Sequence, residues 1–283
     1  MILVTGANGN LGSTTLAALH ARGAAAMGGS RTPGEGIRRL DFDDHRRLDL
    51  AGVSTLVLVS AGYAEDDQVV ARHTAVLDAA VNDGVGHVVY TSLTTAGDHL
   101  GFALAHRATE RLVRASGLPW TILRNGLYAE LFGGLLMWTG HGVESAFGDG
   151  ALAAVSREDL AEAAAAVASN PAPHRGRVYD LVGTPITAAQ VADELGVTHR
   201  PITLGEYRRR LLDETAGLLP FQPPMLASIA TGIRHGFLAG TGSDLTDLLG
   251  RAARDPLAAA AAAASVARPE ASEERRQRSA LTG

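Results

Sequence analysis

The feature that most constrains this chain is a regular alternation through its first 125 residues. Short runs rich in β-branched residues, Ile2–Thr5, Thr55–Ser60, His87–Thr91 and Trp120–Leu123, alternate with longer stretches of helical spacing at Leu11–Arg22, Gln68–Asn82 and Ala103–Ser116. The strand runs are apolar at consecutive positions, which requires burial on both faces. Such strands, separated by helices, make a parallel sheet covered on each side. Weaker strands fit at Ala24–Met27 and Ile37–Leu40. Gly23, Gly84 and Gly117 stand just past the three helices, where the left-handed cap conformation favours glycine.

A chain of 283 residues is long enough for one large core, or a core with a smaller lobe. It holds no cysteine, so disulfides, thiolate metal sites and thiol nucleophiles are excluded. The formal charge of −5 offers no global field for a phosphate backbone, which argues against a nucleic-acid binder. Met1 runs directly into Ile2-Leu3-Val4 without the basic segment of an export signal. The alanine run at 258–264 is too short to cross a bilayer. The cytoplasm is the simplest compartment, with no membrane partner.

After about residue 125 the strict alternation stops. A helix is expected from Ser156-Arg-Glu-Asp159, a strand at Arg177–Val182 and a helix at Thr187–Leu195. Residues 204–250 read as helical, with Pro220, Pro223 and Pro224 marking a break. We therefore expect a dinucleotide-binding core over 1–155, a mainly helical substrate lobe over 156–256, and an alanine helix with a polar tail over 257–283.

The first strand leads into GANGNLG, with glycines at 6, 9 and 12, and a helix leads out at Leu11. A three-glycine motif gains meaning from this strand-loop-helix setting. Gly6 permits the turn, Gly9 lets the backbone approach a pyrophosphate and Gly12 lets the helix pack close to the strand, while the helix N-terminus offers free N–H groups to phosphate. The expected fold is thus a Rossmann-type, doubly wound α/β sheet. About 20 residues further on, where an acid would hold the ribose of NAD, the sequence has Arg31. An arginine there pairs with the 2′-phosphate of NADP(H) or is simply a solvated loop charge, and nearby Glu35 leaves NAD(H) open.

GANGNLG, Arg31, Asp41-Phe42, YTSL at 90–93, the HRATER helix at 106–111 and SGLPWTILRNGLYAE at 116–130 together resemble the NmrA-like atypical short-chain dehydrogenase/reductases. Within that group the likeness is to the type 2 NAD(P)H:quinone oxidoreductases, and it covers about residues 1–190 well. The resemblance implies that Gly6, Asn8, Gly9, Asn10, Leu11 and Gly12 surround the pyrophosphate and that Arg31 meets the adenosine phosphate. It implies Asp41 and Phe42 beside the adenine, Ser60, Ala61 and Gly62 along the nicotinamide-side ribose, and Thr91 and Ser92 facing the nicotinamide. Each of these hydroxyl residues is equally suited to capping a following helix.

The chain departs from the larger short-chain family in its proton chemistry. That family pairs a catalytic tyrosine with a lysine four residues later; all 25 basic residues here are arginine. Tyrosines 63, 90, 128, 179 and 207 are followed at that spacing by Asp67, Thr94, Phe132, Gly183 and Leu211, so no arginine substitutes. A quinone suits such a site, because the product oxygen is a stabilised phenolate that needs little acid catalysis. The resemblance puts His106 in the lysine-like place, as a donor or general acid near neutral pH, or as a local hydrogen-bonding group. Tyr128 is a donor or stacking face for a flat substrate, or core, and Asn125 is placed to orient either residue.

The histidines show no metal-ligand spacing and Ser92 has no nucleophile elbow. Arg157 and Asp159 resemble a position of that family that ties the late segment to the core, and a structural salt bridge is expected there. The apolar run from Leu131 to Trp138, with Phe221, Met225 and Phe237, is either substrate wall or ordinary core. The expected function is NAD(P)H-dependent hydride transfer to a quinone or a related electron-poor aromatic or enone, with NADP(H) preferred. Two alternatives remain: a non-catalytic NADP(H)-sensing regulator of the NmrA type, and a tailoring oxidoreductase acting on a polycyclic aromatic product. The expected partner is a flat hydrophobic small molecule, and a homodimer is left open.

Overall fold

The structure is a computed structural model that describes residues 1–44, 46, 48–61, 64–213 and 217–268. The elements expected in the first half are all present: β1 (Ile2–Thr5), α1 (Asn10–Ala21), β2 (Ala26–Ser30), β3 (Ile37–Arg39), β4 (Thr55–Val59), α2 (Asp66–Asn82), β5 (His87–Leu93), α3 (Ala103–Ala115) and β6 (Trp120–Asn125). Then come α4 (Ala129–Gly134), β7 (Met137–Thr139), β8 (Gly142–Ser145), β9 (Ala151–Ala154), α5 (Arg157–Ser169) and β10 (Arg177–Leu181). The remainder comprises β11 (Thr184–Thr187), α6 (Ala188–Glu194), β12 (Thr198–Pro201), α7 (Leu204–Leu211), α8 (Gln222–Arg234), α9 (Asp244–Leu249) and α10 (Pro256–Val266).

Two compact units result, and their boundaries differ from three consecutive segments. The first unit holds residues 1–125, 157–181 and 242–253; the second holds 126–156, 182–241 and 254–283. The expected core ran unbroken over 1–155, whereas the first unit breaks off at residue 125 and the chain returns to it over 157–181 and 242–253. The physical reason is the sheet edge: β10 pairs in parallel with β6, from Arg177 against Thr121 to Leu181 against Asn125. That pairing occupies an edge that β6 would otherwise leave unpaired.

The first unit is a seven-stranded sheet in the order β10-β6-β5-β4-β1-β2-β3, with every pairing parallel. β5 is buried at all seven positions, as burial on both faces demands. Helices α2 and α3 pack against one another, and α1 packs against α5. A core cluster joins Leu3, Leu56, Leu58, Val88, Tyr90 and Ile122 of the strands to Val76 of α2 and Val113 of α3. Gly23, Gly84 and Gly117 have φ of 71°, 69° and 77°, the left-handed conformation expected just beyond α1, α2 and α3.

The chain leaves β1 toward β2 and β3 on one side, and toward β4, β5 and β6 on the other. The loops beyond β1 and β4 therefore diverge at the carboxyl edge of the sheet, where open α/β sheets hold ligands. The late segment is tied into this unit by Arg251, whose Nη2 lies 2.7 Å from Asp159 and 2.5 Å from Glu162. The expected tie at Asp159 is present, and its cation is Arg251.

The second unit is mainly helical, with β9 and β11 antiparallel and a three-stranded sheet in the order β12-β8-β7. Thr187 and Gln190 form a capping box at α6. Pro223 and Pro224 fall in the first turn of α8, where a missing N–H costs nothing, so these prolines open a helix rather than interrupt one. Much of the expected apolar wall is core of this unit. Phe132 is fully buried and stacks on Phe147 at 5.0 Å between ring centroids, and Leu136 is buried. The indole of Trp138 donates to the carbonyl of Ala264 at 2.7 Å. Phe237 is 61% exposed.

Candidate active site

The loop after β1 turns at Gly6, whose φ is 62°. The amide of Gly9 donates back to the Gly6 carbonyl at 2.8 Å, closing the turn. A Cβ on Gly12 would lie 2.2 Å from the Gly6 carbonyl oxygen, and one on Gly9 would lie 3.2 Å from it. These glycines bring α1 directly against the turn, as the sequence implies. Gly6, Asn8, Gly9 and Asn10 are exposed, whereas Leu11 and Gly12 are buried, so Leu11 offers a ligand only its backbone. No side chain caps the N-terminus of α1 at Gly9. The result is an open cradle of backbone N–H groups with a positive dipole end, suited to a pyrophosphate.

Asn8 donates to the Thr32 carbonyl at 3.4 Å, which links the cradle to the loop after β2. Arg31 lies on that loop, exposed, and makes no hydrogen bond or ion pair with another described residue. Its charge is felt at Asp43, whose carboxyl is held below the usual range chiefly by hydrogen bonds from Arg72 at 2.7 and 2.9 Å. Asp41 is half-buried and accepts the Asp43 amide at 3.1 Å, and half-buried Phe42 packs on the core cluster.

Beyond β4 and β5 the structure builds a buried polar network. The amide of Ser60 donates to Thr91 Oγ1 at 3.2 Å, which joins the ends of the two strands. The amide of Ala61 donates to Nε2 of His73 at 3.0 Å, and Nδ1 of that ring lies 2.8 Å from Thr109 Oγ1. His73 is fully buried, and burial above all, with the charge of Arg72, lowers its pKa to about 3. Gly62 lies outside the described residues.

His106 pairs with Tyr90, Nδ1 to Oη at 3.0 Å, and Phe102 packs edge-on to its ring. Burial, with the charge of Arg107, lowers the His106 pKa to about 4. His106 is thus an uncharged imidazole near neutral pH, able to donate from one nitrogen and accept at the other. Tyr90 is fully buried and its pKa is raised by that burial, against hydrogen bonds with Thr109 and Ser60.

Ser92 is buried. Its hydroxyl donates to Glu110 Oε1 at 2.7 Å, since Ser92 and Tyr90 share the strand face that looks toward α3. Burial works to raise the Glu110 pKa, but Arg124 and Ser92 hydrogen bonds and the charges of Arg124 and Arg107 hold it at about 2. Arg107 also donates to the carbonyls of Leu93 and Thr94 at 2.9 Å, so the charge cluster pins the loop after β5.

Asn125 ends β6. It is 6% exposed, and its side-chain oxygen is buried with no hydrogen-bond partner among the described residues. An acceptor left unpaired costs about 1–3 kcal/mol, which is the cost of waiting for a donor. Tyr128 belongs to the second unit, where it is half-buried, precedes α4 and bridges to Val155. The glycine cradle, the uncapped helix and the unpaired Asn125 oxygen together fit a dinucleotide.

A family model described as NAD(P)H-binding matches residues 6–171. The chain belongs to the NAD(P)H-binding family. Within that family it is an atypical short-chain dehydrogenase/reductase of the NmrA-like group. It is 34% identical to Quinone oxidoreductase 2 of Escherichia coli (strain K12), over 88% of this chain and 94% of that protein. Its fold is similar to that of the E. coli NADPH-dependent quinone oxidoreductase in complex with NADPH, at a TM-score of 0.82 and 30% identity over 93% and 99% of the two chains. The Citrobacter sp. triphenylmethane reductase complexed with NADP(H) superposes at a TM-score of 0.81 with 29% identity, over 93% and 100%. Family membership accounts for the cradle, while His73, Tyr90, Thr109 and Glu110 are features the sequence reading did not single out as site residues. The available signals were a histidine on the apolar stripe of α2 and a glutamate spaced for two arginines on α3.

Proposed function

We propose that the chain is an NADPH-dependent reductase that passes hydride to a quinone or a related electron-poor aromatic or enone. The observation that carries this reading is the 3.0 Å hydrogen bond between His106 and Tyr90 in a chain without lysine. Such a site has no strong acid, and a quinone asks for none. The likeness to quinone oxidoreductases supports the same acceptor class.

Bound at the cradle, the nicotinamide supplies the hydride. Gly6 to Gly12 would hold the pyrophosphate through backbone N–H groups, and Arg31, which makes no hydrogen bond or ion pair with another described residue, would meet the 2′-phosphate. Ser60 and Ala61 are held in place by Thr91 and His73 for the ribose. Asn125 offers its unpaired oxygen to an N–H or O–H of the cofactor or the acceptor. His106 donates a hydrogen bond to the acceptor oxygen as negative charge grows there.

The test is oxidation of NADPH, followed by loss of its absorbance, with a panel of benzoquinones and naphthoquinones. Turnover with at least one is expected. Tight NADPH binding with no turnover on any acceptor would instead mark a redox sensor.

A further inference from the structure

Edge strand β10 lies beside β6, and it carries a half-buried carboxylate to which the proposed chemistry gives no task. Asp180 stands in register with Arg124, one residue short of the pairing of Leu181 with Asn125. Its Oδ1 accepts the hydroxyl of Thr94 at 2.6 Å, and its Oδ2 accepts the amide of Thr95 at 3.1 Å. These threonines open the turn that follows β5, and the Thr94 amide donates to the backbone carbonyl of Asn125 at 2.8 Å. A threonine at the start of such a turn ordinarily caps it with its own oxygen. Thr94 makes no such bond. Asp180, 86 positions away in the chain, accepts in its place and takes up the buried hydroxyl as well.

Asp180 is itself held, since its amide donates to Oδ2 of Asp244 in α9 at 2.8 Å. Arg124 donates to Thr95 Oγ1 at 2.8 Å, so β6 and β10 clasp the turn together. A carboxylate that accepts from a hydroxyl and an amide makes two charge-assisted hydrogen bonds, which are stronger than neutral ones.

We propose that Asp180 is a positioning residue that acts through Thr94 on Asn125. With the carboxylate in place, Thr94 is fixed at side chain and backbone. The Asn125 carbonyl that it holds then fixes the end of β6, where the unpaired side-chain oxygen meets a ligand donor. Without the carboxylate, the Thr94 hydroxyl, 3% exposed, loses its acceptor, and the end of β6 loosens. The return of the chain to the sheet edge thereby serves the site.

The positioning role rests on Asn125 being a ligand contact of the proposed reductase, and a double-mutant cycle tests it. NADPH dissociation constants from fluorescence titration, and kcat with a quinone that turns over, are measured for Asp180→Ala, Asp180→Asn, Asn125→Leu and the combined Asp180→Ala/Asn125→Leu protein. Asp180→Ala should worsen about fivefold or more the same quantity that Asn125→Leu worsens. Asp180→Asn still accepts from Thr95 and donates to the Thr94 oxygen, and should stay within about twofold of the unaltered protein. In the Asn125→Leu background Asp180→Ala should add less than about twofold, because residues that act through one another are not additive. A merely structural role multiplies the two losses. Full multiplication, or an Asp180→Ala protein that binds and turns over normally, would overturn the proposal. If Asp180→Ala does not fold, Thr94→Val, which removes the hydroxyl link alone, takes its place in the cycle with the same outcomes. If Asn125→Leu by itself changes neither binding nor turnover, it is the reading of Asn125 that fails, and the positioning role falls with it.

Discussion

Nε2 of His73 stands 3.0 Å from the backbone nitrogen of Ala61, and because an amide only donates, that ring nitrogen bears no proton. The His73 ring is therefore neutral, with its proton on Nδ1 and directed to Thr109 Oγ1 at 2.8 Å. A side chain of α2 thereby fixes the backbone just past β4.

This tautomer sets the acid response. His73 has a folded pKa of about 3 against an ordinary 6.5, so below pH 6.5 the unfolded chain takes up a proton that the folded chain refuses. Stability is complete above pH 6.5 and falls as the pH drops toward 3. His87 and His106, each lowered to about 4, add in the same direction. Each histidine contributes a slope of at most about 1.4 kcal/mol per pH unit. Urea midpoints measured at pH 7 and pH 5 should differ, and His73→Gln, whose side-chain oxygen still accepts the Ala61 amide, should show a shallower dependence. Parallel slopes for the two proteins would refute this.

Gly12→Ala places a methyl group 2.2 Å from the Gly6 carbonyl oxygen, so either α1 or the turn must move. Fluorescence titration with NADPH should show affinity reduced about tenfold or more, with some loss of stability. Ser13→Ala, one residue on at an exposed position, should bind as the unaltered protein does.

Arg31 makes no ion pair with another described residue that its removal would break, so Arg31→Ala should leave the melting temperature unchanged. A lost charge-assisted hydrogen bond to phosphate is worth about 1.5–3 kcal/mol, which is roughly tenfold to a hundredfold in affinity. NADPH binding should weaken by that factor and NADH binding far less. Equal weakening of both cofactors would remove Arg31 from the 2′-phosphate site.

Asn125→Leu replaces a buried, unpaired oxygen with an apolar side chain of similar size. The free protein should be as stable as before or more so, and NADPH binding or quinone turnover should fall. A variant that binds and turns over normally would show that the oxygen serves no ligand.

The legibility of the sequence followed the range of the interactions. β1, the glycine turn and α1 are encoded within a dozen neighbouring residues, so they were readable, as were the left-handed glycines beyond the first three helices. The return of β10 to β6 was not, because Arg177–Leu181 reads as a strand without any sign of its partner. Ser92 reads as a hydroxyl at a strand end, yet its direction depends on Glu110 eighteen positions away. Tyr90 and His106 meet only because β5 and α3 pack together, and His73 joins them only through α2. A single sequence carries none of those distances. The apolar run after residue 130 was ambiguous for a different reason, since core and pocket lining share a composition.

The interleaving of the chain has a bearing on biogenesis. The nucleotide cradle is made within the first twelve residues, but the unit that carries it acquires its edge strand only at Leu181 and its Arg251 clasp near the end of the described chain. During synthesis, the growing polypeptide must hold an unfinished sheet edge until those segments emerge. A fragment stopped at residue 155 would carry the glycine cradle and Arg31 and still lack the edge strand and the clasp.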